Sequence, residues 1–344
     1  MSGGIDSSFS AFLLKKQGYK VIGVTFALLP RTALNTRNPK ACCSLDSTNR
    51  ARRIADSLSI AHYVINLRPQ FEEHVIEKFV AEYRSGRTPN PCVLCNRYIK
   101  FSAFLERALA LGADTVATGH YATIEKSETG RLLKKGKDSS KDQSYFLYPI
   151  EQYRLADVLF PLSGFTKEAV RHCMTELGWK ARAVQESQDI CFIPNNDYRS
   201  FVSHCAPLKK GDVFLYDGRH LGYHEGVHLY TIGQRRGLNV SFAEPLYVTE
   251  IKAEENVLIV GPKARLRRRR LVADQVNMLS GSLCGEARGK VRYRQREEPC
   301  SYRVSNGQLE VTFDDPVLAI TPGQSVVLYE EDTVLGGGTI GQVC

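Results

Sequence analysis

Between residues 7 and 120 the chain switches repeatedly between two hydrophobic periods, and that switching limits its fold more than any other feature. Phe9, Phe12 and Leu13 fall at helical spacing, and Gly18 stands where a helix C-terminal cap belongs. Tyr19 to Phe26 (YKVIGVTF) then reads as a buried strand. A second helix through Ala51, Ile54, Ala55 and Leu58 leads to a strand from His62 to Leu67. A third helix carries Phe71, Val75, Phe79 and Val80. A fourth, around Phe101 to Leu111, runs into the strand-like TVATGH that ends at His120. Strands alternating with helices predict a parallel sheet with helices on both faces. Ligands of such folds bind at the carboxyl ends of the strands.

Beyond about residue 200 the texture changes. GDVFLYDGRHLGYH places Asp217-Gly218 between two strand-like runs, a hairpin pattern. From Lys290 onward KVRYRQ, CSYRV, QLEVTF and SVVLYEE are short alternating strands. Asn306-Gly307, Pro316 and Pro322-Gly323 separate them, which predicts a small β-barrel. The expected organisation is an α/β domain over 1–197, a small central domain over 198–265 and a C-terminal β-barrel over 266–344.

Composition excludes several classes. With 43% hydrophobic and 24% charged residues in a chain of 344, the sequence is that of a globular protein of two or three domains. No apolar run approaches the ~18 residues of a membrane span. The start, MSGGIDSSFS, lacks the basic and apolar regions of a signal peptide. The 10 cysteines are scattered irregularly, unlike a secreted disulfide framework, so reduced thiols in the cytoplasm are expected. Lysine and arginine total 46 against 37 acidic residues, an excess that favours a polyanionic partner. The densest basic run, Arg265 to Arg270, reads either as a phosphate-contacting strip or as a solvated linker edge.

Ser2-Gly3-Gly4-Ile5-Asp6-Ser7-Ser8 is the first chemical motif. Two glycines let backbone amides approach an anion, the serines add hydroxyl donors, and the following helix aims its N-terminal dipole at the same spot. The lysine of a Walker A loop is missing. The string resembles the PP-loop ATP pyrophosphatases, which cleave ATP between the α- and β-phosphates and transfer AMP to an oxygen. Asp6 would lie among the phosphates, placing Mg²⁺ or the pyrophosphate.

Thr88-Pro89-Asn90-Pro91-Cys92-Val93-Leu94-Cys95-Asn96 is the second motif. Its C-x-x-C admits a zinc half-site, a redox pair or cluster ligation. A structural zinc site needs a second pair, and the adjacent Cys42-Cys43 are badly spaced to supply it. The third motif, Glu186-Ser187-Gln188-Asp189-Ile190-Cys191-Phe192-Ile193-Pro194, would alone suggest a core thiol. Together the three strings resemble the MnmA-type tRNA-specific 2-thiouridylases. Ala117-Thr118-Gly119-His120-Tyr121-Ala122, Lys141-Asp142-Gln143-Ser144-Tyr145-Phe146-Leu147 and Tyr230-Thr231-Ile232-Gly233-Gln234-Arg235-Arg236-Gly237 agree, and the likeness runs from residue 2 to the C-terminus.

The resemblance implies a Rossmann-like adenine nucleotide alpha hydrolase domain and the following roles. Ser2, Gly3, Gly4, Ile5, Asp6, Ser7 and Ser8 would hold the ATP phosphates, with Phe26 and Gly119 near adenine and ribose. Cys95 would face the target base, Asn90, Pro91 and Cys92 would line its pocket, and Cys191 would receive sulfur as a persulfide from a sulfur-carrier protein, a sulfide donor being the partner only where a cluster iron binds sulfide. His120, Lys141, Asp142 and Gln143 would touch tRNA, and Arg292, Tyr293 and Gln324 would hold the anticodon arm. The expected reaction adenylates the C2 carbonyl oxygen of the wobble uridine in lysine, glutamate and glutamine acceptors. Sulfur then displaces AMP, a step that needs a thiolate. A monomer is expected.

Two departures from the family pattern carry expectations of their own. Family members have roughly one strand, ~5–6 residues, ahead of SGG, whereas Met1 abuts it here. The expectation is a sheet without its first strand, with weak folding or poor ATP binding. Many members also carry aspartate where this chain has Cys92. That makes a set of three thiols, Cys92, Cys95 and Cys191, able to hold a [4Fe–4S] cluster with one open iron. The persulfide and cluster routes both stand at this stage. So do two rivals, a PP-loop ligase acting on a small molecule and an inactive RNA-binding homologue.

Overall fold

The computed structural model describes residues 1–29, 45–128, 130–179, 190–193, 197–205 and 208–344. Cys42-Cys43, the segment Glu186–Asp189 of the third motif, and Pro194 therefore lie outside the described residues. By internal contacts the chain divides into two compact units. The first comprises Met1–Val75, Cys92–Asp197 and Asp332–Val334; the second comprises Ile76–Pro91, Tyr198–Glu331 and Leu335–Cys344.

In the first unit, α1 (Ile5–Lys16) starts directly after the glycine pair and buries Phe9, Ala11 and Leu14. Gly18 ends it at φ +90°, as its spacing predicts. Strand β1 (Ile22–Ala27), helix α2 (Leu45–Ser57) and strand β2 (Ala61–Asn66) follow. The two strands pair in parallel, from Ile22 opposite Ala61 to Ala27 opposite Asn66. Met1 lies beside β1, its amino group donating to the Val24 carbonyl and its own carbonyl accepting from Thr25 Oγ1 at 2.6 Å.

The third expected helix is helical throughout but not uniform. Helix α3 (Arg68–Phe71) passes through a π-helical stretch, Glu72–Glu77, into α4 (Lys78–Arg84). After the short α5 (Pro91–Leu94), a second π-helical stretch occupies Cys95–Phe104 and continues into α6 (Leu105–Ala110). Strand β3 (Val116–Ala117) is only two residues long, so most of TVATGH is not strand. Thr118 donates its amide to the Leu159 carbonyl, and the chain then turns towards α1. The hairpin β4 (Ala122–Ser127) and β5 (Gly130–Lys135) comes next, followed by β6 (Val158–Leu159), which pairs in parallel with β3. Helix α7 (Lys167–Glu176) packs on α1 around Phe9, Tyr121, Leu162, Val170 and Met174. Contrary to the expected burial of the first strand, Ile22 is exposed, and on β2 Tyr63 and Val64 are exposed as well. Among the described residues β2 has β1 as its only partner strand, so one of its edges stays open.

In the second unit, α8 (Tyr198–Cys205) packs against α4, with Tyr83 stacked on Tyr198. The expected hairpin is present as β7 (Gly211–Leu215) and β8 (His220–His224), with Gly218 at φ +91° in its turn. Strands β9 (Tyr247–Lys252) and β10 (Val257–Gly261) complete a sheet of order β8-β7-β10-β9. The last six strands are β11 (Arg267–Met278), β12 (Cys284–Lys290), β13 (Glu298–Ser305), β14 (Gln308–Leu318), β15 (Ser325–Glu330) and β16 (Thr333–Val343). They run β11-β14-β13-β12-β15-β16 and close through β11 and β16. The barrel is filled by Leu271, Val291, Val311, Phe313, Val326, Leu328 and Ile340 among others. KVRYRQ is not a strand beyond Lys290, because Gln295 turns back to donate to the Arg292 carbonyl. No described helix is long and apolar enough to cross a membrane.

Candidate active site

The phosphate loop is a tight cradle. Gly3 adopts φ +69°, and a Cβ there would lie 2.4 Å from the Ser47 carbonyl oxygen and 2.9 Å from Arg50 Cβ, both on α2. Only glycine permits that approach. Gly4 is the N-cap of α1 and offers no side-chain acceptor, so the first-turn amides of the helix remain available to an anion. The serines shape the loop from within. Ser2 donates its amide to Ser7 Oγ at 3.2 Å, and the Ser7 and Ser8 hydroxyls donate to the Gly4 carbonyl at 3.1 and 2.8 Å.

Gly119 closes the cradle from the end of β3. A Cβ on it would sit 2.9 Å from the Asp6 carbonyl carbon and 3.0 Å from the Ser7 amide nitrogen. The sequence placed Gly119 with the loop residues, and the structure brings them together. Phe26, at the carboxyl end of β1, packs its ring edge-on against Phe104 at 4.8 Å.

Asp6 is held from two sides. The Tyr121 hydroxyl donates to Oδ1 at 2.7 Å, and Lys167 Nζ donates to both oxygens at 2.7 Å. Burial, and then the Asp6 charge, push the Tyr121 phenol well above its ordinary value, so it stays protonated and donates. Neither residue emerges from the sequence as a loop partner. Lys167 lies 161 positions from Asp6, and its only local signal is Thr166, which caps α7 by accepting from the Ala169 amide at 3.2 Å.

Tyr121 is itself clasped by the string from Lys141 to Leu147. Gln143 donates its amide to the Tyr121 carbonyl at 2.8 Å and accepts the Tyr121 amide on Oε1 at 3.0 Å. Asp142, assigned by resemblance to the tRNA surface, is instead buried. Its oxygens accept from the Gly136 amide, the Ser144 amide and the Ser144 hydroxyl at 3.1, 3.1 and 2.8 Å. The neighbouring Lys141 is half-buried, with its amide donating to the Asp138 carbonyl. His120 packs between Phe101 and Phe160, with Nδ1 2.7 Å from Thr118 Oγ1 and Nε2 3.4 Å from Lys100 Nζ. Burial, then the Lys100 charge, hold the imidazole well below its usual pKa, so it is neutral at pH 7.

The two proposed sulfur residues belong to the same unit. Cys95 opens the π-helical stretch and is half-buried, as is Cys191, and both carry thiols rather than a disulfide. The stretch opened by Cys95 packs against α3, whose Phe71 meets Phe192 edge-on at 5.7 Å. That contact ties the residue after Cys191 to the helix beside Cys95. Asn96, fully buried next to Cys95, donates Nδ2 to the Phe146 carbonyl at 2.8 Å, while its buried Oδ1 has no hydrogen-bond partner among the described residues. Cys92 is exposed. Among the described residues no three Cys, His, Asp or Glu side chains gather as a metal-ligand set.

In the second unit two segments, one at Thr231 and one from Pro322 to Gln324, meet at Thr88-Pro89, immediately before Asn90 and Pro91. Thr88 donates its amide to the Pro322 carbonyl at 2.8 Å and its hydroxyl to Thr231 at 3.1 Å. Gln324 Nε2 donates to the Thr88 carbonyl at 2.8 Å. Gly323, at φ +89°, brings its Cα so close that a Cβ would meet Thr88 backbone atoms at 2.8–2.9 Å. Arg292 donates to the Ile232 carbonyl at 3.0 Å and to Thr321 Oγ1. Lys290 lies over the Tyr293 ring at 5.8 Å.

A cradle of glycines and hydroxyls in an α/β unit that also holds two half-buried thiols, with a six-stranded barrel at the other end of the chain, defines an α/β loop protein with an appended β-barrel domain. Family models match along the whole length: a tRNA methyl transferase HUP domain over residues 1–195, a tRNA methyl transferase PRC-barrel domain over 199–262, and an aminomethyltransferase beta-barrel domain over 268–340. The chain is 45% identical to the tRNA-specific 2-thiouridylase MnmA of Halothermothrix orenii, covering 99% of this chain and 97% of that one. It is 46% identical to the Moorella thermoacetica protein of the same name, over 100% and 98% of the two chains. Against MnmA 1 of Thermoanaerobacter pseudethanolicus the identity is 47%, over 99% and 96%. The chain belongs to the tRNA-specific 2-thiouridylase family.

Proposed function

We infer that this protein is an ATP-using tRNA 2-thiouridylase. The observation that carries the reading is full-length similarity at 45% identity, joined to a proposed phosphate cradle in which Gly3 packs on Ser47 and Gly119 packs on Asp6 and Ser7. A uridine C2 carbonyl has no leaving group, and adenylation provides one. In the proposed reaction the C2 oxygen attacks the α-phosphorus of ATP, expelling pyrophosphate. Ser2, Ser7 and the first-turn amides of α1 receive the phosphates. Asp6 suits Mg²⁺, which typically takes one or two carboxylates plus substrate phosphates.

For sulfur delivery we propose the persulfide route. A sulfur donor leaves Cys191 as a persulfide, whose terminal sulfur attacks C2 as AMP departs with the oxygen. The Cys95 thiolate then attacks Cys191 Sγ, so the S–S bond breaks in favour of a Cys95–Cys191 disulfide and 2-thiouridine leaves. An external dithiol reductant returns both cysteines to thiols. Among the described residues Cys92, Cys95 and Cys191 do not gather as a metal-ligand set, which supports this route over a three-cysteine [4Fe–4S] cluster. Asn90, Pro91 and Cys92 are proposed to line the base pocket. The proposed tRNA-facing residues are His120, Lys141, Arg292, Tyr293 and Gln324, with Asp142 and Gln143 acting from beneath. Wobble uridines of the lysine, glutamate and glutamine acceptors, a monomeric state and a cytoplasmic location complete the proposal.

The test combines purified protein with tRNA, ATP and a persulfide donor, and analyses nucleosides by mass spectrometry. The expected result is 2-thiouridine, with AMP released only when tRNA is present. Turnover of ATP with small carboxylates and none with tRNA would point to a ligase. Binding of tRNA with no turnover would point to an inactive homologue.

A further inference from the structure

We propose that Lys167 is a phosphate-binding residue of the nucleotide site. It neutralises Asp6 in the free protein and turns to the pyrophosphate end of ATP when metal-bound nucleotide engages Asp6. The inference rests on the ATP reading above and assigns that site a cation which no part of the loop motif contains.

Charge makes the case first. Ser2 to Ser8 contains one carboxylate and no lysine or arginine. A triphosphate entering such a loop meets Asp6 as a like charge, a cost that grows where water is partly excluded. Arg50 approaches Gly3 through its Cβ, but Lys167 is the residue whose ammonium is placed on the loop, 2.7 Å from each Asp6 oxygen. Its side chain is only 11% exposed, so the ammonium is confined near that spot.

The anchoring of Lys167 suits an exchange of partners. Its amide donates to Asp138 Oδ2 at 2.9 Å in the first turn of α7, and Thr166 caps that turn. The backbone is thus fixed without help from Asp6, and the four-carbon stem can pivot alone. Asp6 is not stranded when the ammonium leaves, because the Tyr121 hydroxyl still donates to Oδ1 at 2.7 Å. Lysine serves well here, since a flexible stem carrying three donors is a common way to bind phosphate.

The test is calorimetric binding of inorganic pyrophosphate and of ATP, each with Mg²⁺, to the full-length protein without tRNA. Loss of one charged hydrogen-bond donor predicts affinity about 10- to 100-fold weaker in Lys167→Met, with most of it kept in Lys167→Arg. Thermal unfolding monitors the fold, since Lys167→Met leaves Asp6 without its cation. The deciding comparison removes that complication by setting Asp6→Asn against Asp6→Asn/Lys167→Met, using pyrophosphate. A further loss of about tenfold or more on adding the Lys167 change is expected if the ammonium meets phosphate directly. Equal affinities of those two variants would overturn the inference and leave Lys167 as a positioning residue for Asp6. Wild-type protein binding neither ATP nor pyrophosphate would bring down the ATP reading itself, and this inference with it.

Discussion

Replacing Gly119 by alanine probes a close backbone approach in the proposed nucleotide cradle without the positive φ that complicates Gly3. Gly119 is outside the left-handed region, so alanine is conformationally acceptable there. In open space such a change stabilises by about 0.4–1 kcal/mol through the unfolded chain. Here the new Cβ would lie 2.9 Å from the Asp6 carbonyl carbon, 3.0 Å from the Ser7 nitrogen and 3.1 Å from Asp6 Cβ. Two of those atoms are backbone, so no side chain can swing away, and α1 must retreat from β3 by about half an ångström. Overpacking of this kind costs about 1–3 kcal/mol, leaving a net destabilisation of roughly 1–2 kcal/mol. The same retreat displaces the Asp6–Ser7 peptide, whose donors are proposed to meet phosphate, so ATP affinity should fall about tenfold or more. Urea unfolding gives the first number and calorimetric titration with ATP the second. Gly164→Ala is the control, since nothing lies within 4 Å of its added Cβ. If Gly119→Ala matched Gly164→Ala in both stability and ATP affinity, the packing of β3 on the loop would be wrongly described.

Three further outcomes follow from other contacts. Gly323→Ala forces a side chain into φ +89° and against Thr88 backbone. It is expected to cost about 1–3 kcal/mol in unfolding measurements and to weaken tRNA binding in filter assays while ATP affinity holds. Cys95→Ser and Cys191→Ser should each abolish 2-thiouridine in the mass assay while ATP binding is retained, and a variant that still thiolates would remove that cysteine from the route. His120 is held below its ordinary pKa, by burial first, so the unfolded chain takes up a proton before the folded one. Its contribution to stability is therefore present above about pH 6.5 and lost as pH falls through the lower folded value. His120→Asn should flatten that acid-side loss in unfolding curves taken from pH 7 to 5. Burial also lowers His62, His224 and His228, so the loss should shrink rather than vanish.

What the sequence made legible was what local chemistry writes locally. The glycine pair before an amphipathic helix fixed the loop, because φ +69° at Gly3 is open to glycine almost alone. The hairpin at Asp217-Gly218 followed from its turn residues for the same reason. Strand β11 was harder to see. Four consecutive arginines open it, and charge masks an alternation that only Leu271 and Ala273 begin to show. Strand β16 carries Gly336-Gly337-Gly338, a composition that disfavours a strand until barrel closure demands close backbones. The π-helical stretch at Cys95 has no sequence period of its own. Lys167 and Tyr121 were hidden for a different reason, since their service to Asp6 is a tertiary contact across more than 100 residues.

The segment from Asp142 to Phe146 shows how a motif can report two kinds of constraint at once. From one end, Gln143 clasps the Tyr121 backbone, and Tyr121 holds Asp6 in the phosphate cradle. From the other, the Phe146 carbonyl anchors buried Asn96, the residue after Cys95. Asp142 fixes the turn between them by accepting from both the Gly136 and Ser144 amides. This five-residue brace therefore links the Asp6 loop to the helical segment of Cys95 and Asn96, the proposed nucleotide and sulfur ends, within one unit. Any change at Gln143 propagates to Asp6 through two hydrogen bonds before RNA is involved. Lost thiolation in a Gln143 variant is consequently no measure of lost tRNA contact unless ATP affinity is determined alongside. A variant with intact ATP affinity and weakened tRNA binding would place Gln143 on the RNA side, whereas parallel loss of ATP affinity and activity would place it in the brace.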